Sequence, residues 1–582
     1  MRIVLHEGIP DSQTFREQWD GLVHAMERPQ VFYTFEWAQA VARAFGGTLR
    51  PSIFAGYRGE DLVGVVALAE DVPRKEASFL TASTADYCDF ISSTADRKEF
   101  IEGVMEQLYQ LDLRLSLASL PADSASADVL QSSGKKVGYS IFSRPAYLCA
   151  QVPLETESQR AQTRNSARTR LRRMSNAAAG HGPLVTNHEG DWNGFATEFP
   201  EFAIAHVQRF LAAGRVSNLG SQKRRTFLLE LGKLLSARGW LTLSILKLSG
   251  RTIAWNCGFR FGGSWFWYQP AFDTEMAQLS PGSYLLCEIM RRASDDPLIH
   301  TVDLGLGDEG YKDRYAKAGR QTLHITACSP GRKAVEVCRY RAAQVVRGSP
   351  RLESAVRGCL AKVTGIRANI SRNGIAKTFK DVSVRLRHSI AGANEVMFFE
   401  WAGPEPVPHG FALQPLSLRL LANAAMAYEA DSHALNYLLR GAQRLSSGRD
   451  EGFALTTPEG IPVHFCWVSR FEGFTMSELH LQLREPAPQA VLLFDCWTPQ
   501  SQRGQGYYGV SISNVAARVS EKGKRPWIFS DAMNVSSLRG IEKGGFVPRF
   551  SLKRRRLFGV TKTSKITLDE SNAPRMDLFP AA

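Results

Sequence analysis

The stretch between residues 491 and 546 constrains this chain of 582 residues more than any other. An apolar run from Val491 to Phe494 leads into Asp495, Cys496, Trp497 and Thr498 and reads as a strand. The turn Arg503-Gly504-Gln505-Gly506-Tyr507-Tyr508 follows, then a helical pattern to Ser520. A second strand, Trp527 to Ser530, precedes a helix start at Asn534 and Ser537 and the close Glu542-Lys543-Gly544-Gly545-Phe546. Glycines in such a turn allow left-handed φ and gather backbone N–H groups at the head of a helix. Those N–H groups have no partner inside the helix, and the helix dipole adds positive character, so the turn suits an anion such as a pyrophosphate. A plain β–α turn also carries Gly-x-Gly, so the weight lies on the whole ordered set.

The length exceeds one ordinary core, and roughly two to four domains are expected. An apolar fraction of 44% is that of a globular protein. The nine cysteines form no CxxC pair and mostly sit in apolar runs, which reads as buried free thiols in a reducing compartment. Histidines show no metal-ligand spacing, so no metal is expected. Met1-Arg-Ile-Val-Leu5 passes straight into polar sequence, unlike a signal peptide, and no apolar run approaches the ~20 residues of a membrane helix. The expectation is a cytoplasmic protein, with peripheral contact at the inner membrane face as an option.

Three α/β stretches and one basic stretch organise the chain. Residues 1–150 show helical patterns at Phe15–Met26, Phe35–Phe45 and Phe100–Leu111, a hairpin of Ser52–Tyr57 with Leu62–Leu68, and a strand at Leu115–Leu120. Residues 151–330 begin with a basic helix, Arg164–Ala179, and an amphipathic one, Phe227–Arg238. Strands follow at 240–248, 252–260 and 264–268, then a helix opened by Ser280-Pro281-Gly282, then a buried strand, Thr301–Gly305. Proline is preorganised for a first helical turn. Residues 331–392 form a basic linker, helical in pieces. Val335, Cys338, Ala342, Val345 and Val346 recur at helical spacing, and Pro350 breaks the run. Its part from 331 to 388 holds 14 Lys/Arg against 3 Asp/Glu, most of the +14 net charge. Residues 393–582 form the last α/β stretch, with Glu395–Phe399 and Ile461–Val468 as strands before the opening motif.

The 491–546 motif resembles the acetyl-CoA site of the GNAT acyltransferases. The stretch from Tyr268 through Pro281-Gly282 to Asp303, Gly307 and Tyr311-Lys312 resembles the BioF2-like (CelD-type) acetyltransferases, distant relatives of the Fem aminoacyltransferases. The entry Val31-Phe-Tyr-Thr-Phe-Glu-Trp37 is also similar to that family's, and this resemblance covers about residues 15 to 320. The implied fold is mixed α/β (α+β): several GNAT-like acyl-CoA N-acyltransferase units with mixed central sheets flanked by helices. Two GNAT-like halves would occupy 1–150 and 151–330, and a single GNAT domain 393–582.

The implied activity is acyl transfer from acetyl-CoA, or another acyl-CoA, to an amine or hydroxyl. The acceptor would be a small molecule such as a sugar nucleotide, or a polysaccharide or envelope precursor. Arg503, Gly504, Gln505, Gly506 and Tyr507 would hold the pyrophosphate, with Asn534 and Ser537 as a second contacting pair. The chain departs from the GNAT pattern at Tyr508, where glycine or alanine is usual. Backbone N–H groups of Cys496, Trp497 and Thr498 would polarise the acyl carbonyl. Asp495 is the candidate base, against the alternative of a hydrogen-bonded partner in the sheet. Tyr507 or Tyr508 would protonate the leaving thiolate, against the alternative of packing; Tyr508 is taken as catalytic. Asn534 and Ser537 also suit plain helix capping. In the first 330 residues, Tyr268, Asp303, Tyr311 and Lys312 are candidate substrate contacts, against structural roles.

The helix carrying Arg164, Arg168, Arg170, Arg172 and Arg173 suggests anion contact or a solvated face. The basic linker suits an anionic membrane surface better than tRNA, because few aromatics interleave its charges. Two alternatives stay open: a tRNA-dependent aminoacyltransferase of the Fem type, and a degenerate GNAT module that only binds or scaffolds.

Overall fold

The structure, a computed structural model, describes residues 1–307, 310–349, 391–403, 410–476, 479, 481–557, 560–567 and 579–580. It divides into two compact units. One comprises Met1–Arg209 and Ser221–Val345, the other Phe210–Gly220 and Val346–Ala582.

Among the described residues the first unit is built on one sheet of thirteen strands. In chain order these are β1 (Arg2–Glu7), β2 (Arg50–Arg58), β3 (Asp61–Asp71), β4 (Glu76–Phe79), β5 (Ile91–Ser92), β6 (Arg114–Pro121), β7 (Ser140–Pro153), β8 (Leu184–Glu189), β9 (Leu241–Leu248), β10 (Arg251–Phe261), β11 (Ser264–Phe272), β12 (Thr301–Asp303) and β13 (Ala318–Cys328). Across the sheet they run β1-β2-β3-β4-β6-β13-β7-β12-β11-β10-β9-β8, with β5 beside β3. Strand β7 is the joint. Most of its length pairs with β13, and its last residues, Gln151–Pro153, pair with β12. Strand β13 also pairs with β6, so the stretches 1–150 and 151–330 share one sheet.

The second half of this unit follows the order expected from its sequence. Strands β9, β10 and β11 form an antiparallel meander, and β12 lies parallel to β11. Between them Ser280 turns the chain at φ +53° and Pro281 opens the helix Pro281–Asp295. Leu285, Leu286, Ile289, Met290 and Ala293 recur along one side of that helix and pack on Leu246, Trp265, Trp267 and Val302 of the sheet. The basic helix starts earlier than its charge pattern suggests, at Glu157. Thr156 and Gln159 form a reciprocal capping box that satisfies backbone donors on both residues. Arg160, Arg164 and Arg170 of this helix bind carbonyls or carboxylates of the unit itself, while Arg168, Arg172 and Arg173 are exposed.

The expected linker begins as the helix Pro330–Arg347. Its apolar stripe does not face the sheet: Val335, Cys338, Ala342 and Val345 are exposed, and the helix leans on β7 through Tyr340 against Phe142. The rest of the linker, 350–390, including Pro350 and Phe379, lies outside the described residues.

The second unit carries β14 (Ala391–Trp401), β15 (Ala412–Pro415), β16 (Glu451–Thr456), β17 (Pro462–Arg470), β18 (Thr475–Met476), β19 (Leu481–Gln482), β20 (Ala490–Trp497), β21 (Arg525–Asp531), β22 (Phe546–Leu557), β23 (Val560–Thr567) and β24 (Phe579–Pro580). Its main sheet runs β15-β16-β17-β20-β21-β14-β22-β23, and β18, β19 and β24 make a small second sheet. Successive side chains point to opposite faces, so Phe398 and Phe399 enter different cores. Helix Tyr507–Ser520 covers one face with Ile512, Val515, Ala516 and Val519. No described helix is long and apolar enough to cross a membrane.

Candidate functional site

In the second unit the site is built where two parallel strands part. Strand β20 pairs with β21 only from Ala490 to Leu493. Beyond that point β21 continues against β14 alone, while β20 stays on β17 through an irregular register. Asp495 marks the irregularity with φ +44°, a left-handed conformation that a non-glycine residue rarely takes. Strand β20 then ends, and a short turn, Gln500–Gln502, leads to the glycine loop.

Gly504 and Gly506 both have left-handed φ, +83° and +81°, with open space where a side chain would stand. Residues Arg503 to Gly506 are exposed. The N–H groups of Gly504, Gln505, Gly506, Tyr507 and Tyr508 make no hydrogen bond among the described residues. They crown the 14-residue helix Tyr507–Ser520. Arg503 Nε donates to Thr498 O (3.2 Å) and braces the loop, and the Tyr507 ring meets Phe411 edge-on at 5.0 Å. Such an arch of free donors on a helix axis is a ready anion site.

Tyr508 turns inward. Its hydroxyl lies 3.1 Å from Ser537 Oγ, and burial pushes its phenol up. Gly540 makes the room, since a Cβ there would stand 2.4 Å from the Tyr508 ring. This explains how the chain tolerates tyrosine where the resembled family has a small residue. Asn534 caps the helix Val535–Lys543, its Oδ1 accepting from Ser537 N at 3.2 Å.

Four residues that the sequence did not point to complete this region. Arg444 forms an ion pair with the Asp495 carboxylate and lies over the rings of Trp467 and Phe494. Tyr437 donates to Asp495 O (2.9 Å) and stacks on Trp497 at 4.6 Å. Tyr437, Arg440, Asp495 and Trp497 help line a cavity of about 470 Å³. His464 is fully buried, with Nδ1 2.7 Å from Thr498 Oγ1, and burial pulls its pKa down to about 3. Cys466 Sγ lies 3.5 Å from Cys496 Sγ. None of these contacts has a sequence signal, because the partners sit 30 to 58 positions apart.

The first unit brings its candidates into a second, buried cluster. Asp303 is fully engaged: Tyr87 Oη (2.8 Å) and Gln151 Nε2 (2.8 Å) donate to one oxygen, and Gly305 N (2.8 Å) to the other. Lys312 Nζ donates to Gly305 O (3.2 Å) and Leu306 O (2.5 Å). Tyr268 Oη donates to Thr84 O (2.6 Å), and Trp267 Nε1 donates to Tyr311 Oη (3.0 Å). Asp86, Tyr87, Gln151 and Arg320 were not expected from the sequence. Burial, then the neighbouring Asp303, raise the Asp86 pKa from 3.8 to about 7, while Leu306 N and Lys312 oppose the shift. Arg320 lies over the Tyr87 ring at 5.0 Å. The two acids in Asp86-Tyr-Cys-Asp89, set in an apolar stretch, were the one hint available. Among the described residues no group of three or more metal-ligating side chains occurs.

The model of the acetyltransferase (GNAT) domain family matches residues 165–313, the second half of the first unit through Lys312. That segment is a GNAT acetyltransferase domain. The match falls outside the 491–546 motif. No curated protein matches the chain. Similar solved structures include FemX, at 11% identity and a TM-score of 0.40, covering 58% of this chain and 99% of that one. The structure of L-PGS from Bacillus licheniformis is similar at 12% identity and 0.35, covering 52% and 93%. A tandem GNAT protein from the clavulanic acid biosynthesis pathway is similar at 12% and 0.33, covering 56% and 99%.

Proposed function

We propose that the chain moves an acetyl or other acyl group from a CoA thioester to an amine or hydroxyl, with the CoA held by the second unit. The observation that carries this reading is the run of N–H groups from Gly504 to Tyr508 that make no hydrogen bond among the described residues, beside two strands that part at Leu493. In the reading, amides from Gly504 to Tyr507, in the loop braced by Arg503, hold the pyrophosphate, and Asn534 and Ser537 contact the next part of the cofactor. The amides of Cys496, Trp497 and Thr498 face the thioester carbonyl and stabilise charge as it develops there. Asp495, oriented by Arg444, draws the acceptor proton directly or through water. Tyr508, held protonated by burial, returns a proton to the departing thiolate.

Titration calorimetry of the full chain with acetyl-CoA tests this. Binding is expected, and Gly506→Trp is expected to abolish it by filling the open space above the loop. Absence of binding by the unaltered protein would sink the reading. Tight, salt-sensitive binding of tRNA instead would favour an aminoacyltransferase of the Fem type. Binding of neither would favour a degenerate scaffold.

A second reading places a transfer site in the first unit as well. The near-neutral Asp86 beside Asp303 and Lys312 favours it, since catalytic acids and bases are tuned this way. Tyr268, Asp303, Tyr311 and Lys312 would then shape the site through their internal hydrogen bonds rather than stand free. The resemblance of residues 15–320 to BioF2-like acetyltransferases supports a sugar nucleotide or a polysaccharide or envelope precursor as acceptor. The proposed division is 1–150 and 151–330 as paired halves, 331–392 as basic linker and 393–582 as the CoA-binding domain. The exposed stripe Val335, Cys338, Ala342 and Val345, flanked by Arg332, Arg339 and Arg341, supports peripheral docking of the linker on an anionic membrane surface.

A further inference from the structure

Cys466 and Cys496 stand on neighbouring strands, β17 and β20, at the one irregular step of their register. Their sulfurs are 3.5 Å apart, so about 1.5 Å of approach separates contact from a covalent bond. The bulge at Asp495 supplies slack, because a bulged strand carries an extra residue that its partner does not match. The two thiols differ in access: Cys466 is fully buried and Cys496 half-buried. Cys496 also sits beside Trp497 and Thr498, the residues whose amides the acyl-CoA reading assigns to the thioester carbonyl.

We propose that this pair is an oxidation site at which a hydroperoxide converts two thiols to a disulfide and closes the acyl-CoA site; the claim of closure rests on the acyl-CoA reading above. The more accessible sulfur, that of half-buried Cys496, reacts first. Cys496 sulfur attacks the O–O bond, forming an S–O bond, and the alcohol or water leaves, so Cys496 becomes a sulfenic acid. Cys466 sulfur then attacks that sulfur: the S–S bond forms, the S–O bond breaks and water departs with the thiol proton. Two electrons pass from the thiols to the hydroperoxide. The new bond ties β20 to β17 and moves residue 496 toward β17, away from the gap between β20 and β21.

The full-length reduced protein is treated with hydrogen peroxide and mapped by peptide mass spectrometry. The expected result is a peptide pair joining Cys466 to Cys496, lighter by two hydrogens and released by dithiothreitol. Acetyl-CoA affinity is expected to fall at least about tenfold and to return on reduction. Cys466→Ala is expected to abolish the cross-link and leave a sulfenic acid on Cys496 that dimedone captures. Exposed Cys338 reports that the oxidant has acted. Oxidation of Cys338 with Cys466 and Cys496 still free would overturn the proposal. A cross-link that leaves acetyl-CoA affinity unchanged would overturn the closure. If the reduced protein binds no acetyl-CoA, the acyl-CoA reading and the closure fall together, while the peptide map still decides whether the dithiol exists.

Discussion

Tyr508 and Gly540 show how a departure from a family pattern is absorbed by one missing methyl group. The tyrosine ring occupies space that a Cβ at position 540 would enter at 2.4 Å. Gly540→Ala is therefore expected to destabilise the second unit by about 1–3 kcal/mol, read from urea unfolding. Tyr508→Ala in that background is expected to recover part of the loss, because the clash goes with the ring. Asp86 offers a residue-scale test in the first unit. Its folded pKa of about 7 lies above the ordinary 3.8. The folded form thus keeps a proton that the unfolded form releases, and this stability is full below pH 4 and lost as the pH rises through 7. Asp86→Asn is expected to raise the melting temperature at pH 8, worth up to roughly 4 kcal/mol, with the gain gone at pH 4. An unchanged or lowered melting temperature at pH 8 would contradict a raised Asp86 pKa.

At the scale of elements, the cap at Asn534 separates two roles that one side chain fills together. Asn534→Ala is expected to cost about 1 kcal/mol of stability, while Asn534→Asp keeps the cap. Acetyl-CoA affinity falling in both variants would assign Asn534 to the cofactor; a loss only with alanine would assign it to the helix. Local patterns carried the elements well. The hairpin of β2 and β3, the helix Phe35–Phe45, the meander β9–β11 and the helix opened by Pro281 all follow from alternation, turn residues and proline. The basic helix began a turn or more too late on paper, because Thr156 and Gln159 act before the charged run. The stripe on the helix Pro330–Arg347 was legible, but not which way it faces. The strand, glycine turn and helix starts that carry the candidate site were legible where they lie in a row, from Asp495 to Ser537. It was illegible where it joins distant strands: Arg444 reaches Asp495 across 51 positions, and Tyr87 reaches Asp303 across 216. Only the paired sheet brings those groups into range.

At the scale of the molecule, buried histidines and Asp86 pull stability in opposite directions. Burial lowers His188 and His324 to about 4 and His206 and His464 to about 3. Each was neutral in its core, so the stability it allows is present above its unfolded value of 6.5 and is lost as the pH falls below that. Asp86 loses its contribution on the alkaline side. Calorimetry across pH is expected to show the highest midpoint near neutrality and a steep acid flank in both units, since His464 lies in the second and the others in the first. A midpoint still climbing at pH 5 would contradict the neutral, buried state of these rings.

The placement of β13 sets a schedule for biosynthesis. It is the last strand of its sheet to be made, yet it lies between β6 and β7, which leave the ribosome about 165 to 205 residues earlier. At ordinary translation speeds that gap lasts on the order of ten to forty seconds. Throughout it two neighbouring strands hold bare hydrogen-bonding edges, the kind of template on which other chains add. A nascent chain halted near residue 300 is therefore expected to be retained by chaperones, and one extended past residue 328 is expected to be released, as co-purification of stalled chains of the two lengths would check.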